Sequence, residues 1–307
     1  MVLRFLFLII ITALSRWKEH NSYIEVIQYL IQHGAYIDTI DKNGLSPLCK
    51  AIMNGNMKIF NCLLEFGASV DNEHIVSYSP LLCACSTGNV EMFDMLLMRK
   101  ANINSIGFGG ITPLLIACSR GENYMVARIL NFHGVDVNAS FSKSGNTGLI
   151  IASSRGYQCI LENLLNYKKP PVDLNFKNIK GWTALHVAAN AGKESLVQLL
   201  LNSGAQVNLP SNNEWTALML AVFKDYEIVC GILIKNGANL EASQKEGWTA
   251  LHIAIREGNT SITRLLVSAG AKIDSKTSHG DTPLMIAAKF ERHDVYELLR
   301  TIKIDPM

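Results

Sequence analysis

Charge is scarce in this chain. Only 18% of its 307 residues are Asp, Glu, Lys or Arg, and the formal net charge is +2. So weak a balance exerts no global pull toward nucleic acid or an anionic membrane, and any steering field must be local. Long apolar runs are also missing. The longest, within Phe5-Leu6-Phe7-Leu8-Ile9-Ile10-Ile11, falls well short of the ~20 residues that cross a bilayer. The seven cysteines are odd in number and scattered, which excludes a disulfide framework. No paired Cys-x-x-Cys sets, His-x-x-x-His spacing, glycine-rich phosphate loop or kinase signature occurs. Enzyme and metalloprotein readings, with or without a cofactor, have little to stand on.

What is present is apolar and periodic. Residues of the hydrophobic class make up 49% of the chain, an ordered, core-rich composition. A hydroxyl followed by a Pro-Leu, Ala-Leu or, once, Gly-Leu pair returns at Ser46, Ser79, Thr112, Thr147, Thr183, Thr216, Thr249 and Thr282, at intervals of 33, 33, 35, 36, 33, 33 and 33. A weaker copy, Thr12-Ala13-Leu14, precedes them. A fixed period in this range marks a solenoid. Five residues after each hydroxyl stands alanine (Ala51, Ala84, Ala117, Ala152, Ala188, Ala221, Ala254, Ala287), as expected where two helices pass too closely for a larger side chain.

Nine residues after the hydroxyl comes glycine in six repeats, suited to a left-handed helix end. Asp225 and Glu291 replace it in two repeats, where a tighter or more strained turn is expected. A second amphipathic helix follows, such as Leu196, Val197, Leu200, Leu201, and it ends at Gly-Ala, as in Gly204-Ala205. A short extended piece such as Val207-Asn208 then turns back to the next hydroxyl, which caps the following helix with proline preorganised at its first position. One turn-helix-turn-helix unit cannot bury its own apolar face, but stacked units can.

The pattern Gly-x-Thr-Pro-Leu-His, Ala-Ala, Gly, Val-x-x-Leu-Leu, Gly-Ala-x-Val-Asn resembles the ankyrin repeat. The resemblance covers residues 12–307 as nine repeats, the first degenerate (12–41, 42–74, 75–107, 108–142, 143–178, 179–211, 212–244, 245–277 and 278–307), with residues 1–11 as an apolar N-terminal segment. It implies an all-α solenoid with first helices and hairpin tips on a concave face, and no catalysis. It also implies that His186 and His252 orient their turns by bonding to backbone. Repeat 5 lacks Gly-Ala and carries Asn166-Tyr167-Lys168-Lys169-Pro170-Pro171 instead, so residues 131–178 are expected to be the least regular. The last repeat is expected to end at Leu298-Leu299-Arg300, ahead of a seven-residue polar tail.

Two rows carry the functional expectations. Just before the hydroxyls stand Leu45, Tyr78, Ile111, Asn146, Trp182, Trp215, Trp248 and Asp281. Three tryptophans at one period form either an exposed aromatic ladder for a partner or rings stacked on neighbouring hairpins. At the ends of the first helices stand Arg120, Arg155, Lys224, Arg256 and Lys289, with one anion, Glu257. They suit an acidic partner, or they only offset the helix dipole. Cys83-x-Cys85 reads as small core residues.

The expected function is a monomeric scaffold or adaptor that binds another protein along the concave groove, without nucleic acid, a membrane span or a cofactor. Two alternatives stay open, a secreted or host-directed effector and a regulatory module of an enzyme or channel complex. Free cysteines suit the cytoplasm or nucleus. The basic, apolar start and Ala13-x-Ser15 resemble a secretory signal, which would place the protein outside the cell.

Overall fold

The computed structural model describes residues 22–71 and 78–304. Residues 1–11 and the degenerate Thr12-Ala13-Leu14 copy lie outside the described residues. Seventeen helices follow one another and, among the described residues, no strand forms. The hairpins hold single bridges, as at Gly107–Ile111 and Ser243–Thr249. The architecture is an all-α ankyrin solenoid.

The chain divides into two compact units. One runs to Lys143 and includes Asn166–Pro171; the other comprises Ser144–Leu165 and everything from Val172 on. The first unit holds α1 (Ser22–Gln32), α2 (Pro47–Met53), α3 (Met57–Glu65), α4 (Pro80–Thr87), α5 (Val90–Met98), α6 (Pro113–Arg120) and α7 (Asn123–Leu130). The second holds α8 (Gly148–Arg155), α9 (Gln158–Asn166, its last residue in the first unit), α10 (Ala184–Asn190), α11 (Glu194–Asn202), α12 (Ala217–Phe223), α13 (Glu227–Lys235), α14 (Ala250–Glu257), α15 (Thr260–Ser268), α16 (Pro283–Lys289) and α17 (His293–Ile304). Within each unit first helices stack on first helices: α2 on α4 and α4 on α6, then α8, α10, α12, α14 and α16 in order.

The repeated hydroxyls start these helices. In seven of the eight repeats the Oγ accepts the backbone N–H three residues on, from Cys49 to Ser46 (3.2 Å) through Met285 to Thr282 (3.4 Å). Each such bond satisfies a donor the helix cannot reach itself. At Thr183 the cap is reciprocal, because its backbone N–H donates to Nδ1 of His186 at 3.2 Å, and the backbone N–H of Thr249 donates to Nδ1 of His252 at the same distance. The alanines after the hydroxyls are the tightest points of the stack. All eight have at most 1% of their surface exposed, so an added methyl would meet a neighbouring helix.

Glycine after the first helix adopts the expected left-handed conformation, and at one position it is needed twice over. Gly192 has φ +64°, and a Cβ there would lie 2.9 Å from the Tyr226 ring of the next repeat. Asp225 and Glu291, which replace this glycine, take φ of +61° and +55°. Both hold a Cβ in a region that costs an ordinary residue roughly 1–2 kcal/mol.

A ladder joins successive repeats along the second-helix ends. Asp38 accepts the N–H of Ser69, Asp71 that of Asn102, and Asn104 that of Asp136, each at 2.9 Å. In the second unit Asn175 serves Gln206 (3.0 Å), Asn208 serves Asn239 (2.7 Å) and Glu241 serves Lys272 (2.9 Å). The asparagine rungs also donate: Asn104 Nδ2 to the Gly134 carbonyl (2.6 Å), Asn138 Nδ2 to that of Pro171 (3.4 Å) and Asn208 Nδ2 to that of Gly237 (3.0 Å).

Two expectations need correction. The last repeat does not give way to a polar tail after Arg300; α17 continues to Ile304, twelve residues against nine in α15. Lys303 occupies the position of Gly270 and continues the helix, whereas Lys100, the lysine at the same position of repeat 3, takes the left-handed conformation (φ +64°) and closes its repeat. The Asn and Asp residues after the second helices were expected only to make turns; they also bind the next repeat.

Candidate protein-binding face

The first-helix ends and the hairpins carry the candidate residues, and each unit presents its own set. In the first unit Tyr78 is exposed, and its carbonyl accepts the Cys49 thiol at 3.1 Å. Arg120, at the end of α6, donates its Nε to Glu122 at 2.7 Å. The same unit exposes two apolar side chains that the sequence reading passed over. Ile106 and Phe108, both 68% exposed, lie two residues apart on a hairpin closed by Gly107 N–H to Ile111 O (2.8 Å). The signal for them was a charge-free run from Ala101 to Ser119.

The second unit holds the larger cluster. None of Trp182, Trp215 or Trp248 stands out as a free ring; each is half-buried against its own repeat or the next. Lys180 places its ammonium 5.9 Å from the Trp182 ring. Trp215 meets Phe223 edge-on at 5.7 Å. Trp248 meets His252 edge-on at 6.2 Å. Two cations approach the same ring: Lys224 Nζ is 5.3 Å and the Arg256 guanidinium 5.9 Å from the Phe223 ring centroid. Arg256 is also 5.4 Å from Trp248. Trp215, Phe223, Lys224, Trp248 and Arg256 therefore form one cation–aromatic platform across two repeats, with Phe223 39% exposed at its centre. Ring faces attract cations electrostatically, more so where water is partly excluded.

The basic row is less free than its spacing suggests. Arg256 donates to Glu257 at 2.6 Å, Lys289 pairs with Asp281 at 3.4 Å, and Arg120 is tied to Glu122. Among the described residues Arg155 and Lys224, both exposed, make no ion pair. A further pair escaped the sequence reading: Lys50, almost buried, meets Asp41 at 3.1 Å and pins the repeat 2 hairpin to α2.

The histidines and thiols are structural. His186 Nε2 donates to the Trp215 carbonyl (3.1 Å) while Nδ1 faces Thr183, so one neutral tautomer bridges two repeats. Burial pulls its pKa from 6.5 down to about 4, against the Trp215 bond. His252 does the same with Ser275 O at 3.2 Å, and burial lowers it as well. Burial raises the Cys118 thiol to about 12 and Cys230 to about 12, and Cys85 is raised too. Such thiols are poor nucleophiles and poor metal ligands. Among the described residues no group of three or more His, Cys, Asp or Glu side chains could hold a metal ion. No described helix is long and apolar enough to cross a membrane.

Comparison with known proteins fits this geometry. The family model for ankyrin repeats matches residues 14–107, 149–244 and 229–307, and a single-repeat model matches residues 109–140. The chain belongs to the ankyrin-repeat family, whose members are protein–protein interaction modules and typically not catalysts. A curated relative is calmodulin-binding transcription activator 6 of Arabidopsis thaliana, 48% identical over 42 residues. The matched stretch is 14% of this chain and 5% of that relative.

Proposed function

We propose that this protein is a scaffold or adaptor that holds a partner protein on the first-helix ends and hairpins of its second unit. The observation that carries the reading is the platform of Trp215, Phe223, Lys224, Trp248 and Arg256. Half-buried aromatic residues and arginine are the side chains most enriched among interface hot spots. They sit on helix ends and hairpins held by packed helices, so little ordering entropy is lost when a partner arrives. The buried free thiols suit a reducing compartment, and a cytoplasmic or nuclear protein is the matching proposal.

The test is capture of a partner from the native cell by the full chain, followed by the same capture with Phe223→Ala and Lys224→Glu. Recovery by the wild type and loss with both variants, at unchanged melting temperature, supports the reading. Equal recovery with all three proteins would refute it.

A further inference from the structure

The platform is asymmetric in charge, and that asymmetry describes a partner more closely. Arg155 and Lys224 occupy the same position in repeats 5 and 7, eight residues after Thr147 and Thr216. Both are exposed, and neither meets a carboxylate among the described residues. The repeat between them has Ala191 at this position. The neighbouring repeats differ. Beyond Lys224, Arg256 is already neutralised by Glu257 and Lys289 by Asp281.

We infer that the first-helix face of the second unit takes an extended acidic peptide segment, one carboxylate on Arg155 and another about six residues away on Lys224. The inference rests on the protein-binding reading above and adds the chemistry and spacing of the bound segment. The helices α8, α10 and α12 are consecutive packed neighbours. At ~9 Å per step the two cations stand roughly 18 Å apart. An extended chain rises ~3.3 Å per residue, so five to six residues span that gap. Ala191 leaves room for the chain to pass between the two cations. An apolar side chain next to the second carboxylate rests on Phe223, whose ring lies beside Lys224 and against Trp215. The Arg256–Glu257 pair bounds the site, because it leaves no net charge to hold an acidic segment that continues toward repeat 8. The segment therefore runs from Lys224 toward repeat 5. A nucleic-acid strand fits less well, since its phosphates are closely spaced and the position between the two cations is uncharged.

Fluorescence anisotropy at low salt with three labelled twelve-residue Gly/Ser peptides tests this. The first has glutamates at positions 3 and 9 and leucine at 10, the second has glutamines at 3 and 9, and the third has adjacent glutamates at 5 and 6. The first is expected to bind at least fivefold more tightly than the others. Arg155→Glu and Lys224→Glu should each weaken it at least fivefold at unchanged melting temperature, and Arg120→Glu, in the other unit, should leave it unchanged. Equal binding of the glutamine or adjacent-glutamate peptide overturns the inference. So does an equal loss with Arg120→Glu, or tighter binding of a labelled oligothymidylate. Absence of any peptide binding at millimolar concentration also overturns it, while the partner-capture experiment still decides the broader reading separately.

Discussion

Acid should loosen the second unit by way of one side chain, and the size of the effect follows from His186. Its ring is 1% exposed, bonded on one side to the repeat 6 cap and on the other to the Trp215 carbonyl. Folded, it resists protonation down to about pH 4; unfolded, it titrates near 6.5. Above pH 6.5 both states are neutral and the residue adds no pH dependence. As pH falls below 6.5 the unfolded chain takes up the proton first, so stability drops by ~1.4 kcal/mol per pH unit until the folded ring also protonates near pH 4. At pH 5 the loss is about 2 kcal/mol relative to pH 8. His252, lowered for the same reason, adds to it in the same direction. Three of the four tryptophans lie in this unit, so urea unfolding followed by tryptophan fluorescence reports on it. His186→Gln keeps a polar side chain and removes the titration. The variant should be less stable at pH 8, and its further loss between pH 8 and pH 5 should be smaller than the wild type's by about 2 kcal/mol. Equal pH-dependent losses in the two proteins would refute the assignment of a neutral, buried, bridging imidazole.

Other substitutions read the frame directly. Asp225→Gly relieves a left-handed residue that carries a Cβ, and after the entropy cost of glycine it should raise stability by roughly 0.5–1 kcal/mol, measured by thermal melting. Gly247→Ala should lower stability by more than about 1 kcal/mol, because its φ is +76° and a Cβ would lie 2.6 Å from the Ser278 backbone nitrogen. Ala254→Leu places an isobutyl group between packed first helices and should cost about 1–3 kcal/mol, seen as a lower urea midpoint. Trp215→Ala separates two roles: loss of partner affinity by ~2 kcal/mol marks a hot spot, and a lowered melting temperature with unchanged affinity marks a packing residue.

The frame was legible because its residues recur with a period. Thr183 and Ala188 have counterparts 33 residues on and Gly192 has one 66 residues on, and a cap, a close contact and a left-handed turn each admit few residue types. The candidate face was harder to read. A tryptophan before the cap looks the same in sequence whether its ring stands free or leans on Phe223. The pairing of Lys289 with Asp281 spans eight residues and a hairpin, so a row read along helix ends does not reveal it. Asn208 and its equivalents were readable as turn formers, and nothing local shows that the N–H they serve is 31 residues away. The length of α17 was not readable at Lys303, because the lysine at the same position of repeat 3, Lys100, takes the left-handed conformation and ends its repeat.

The ladder of side-chain acceptors changes what counts as one building block of this chain. Asp71 is completed by Asn102 and Asn208 by Asn239, so a block cut at the helix boundaries carries an open acceptor at one end and an open donor at the other. A duplication or deletion of thirty-three residues in register restores every rung, whichever helix it begins in. An event that shifts the register of donor and acceptor strands one of each at the scar. The chain can thus grow or shrink by whole periods while its fold stays closed.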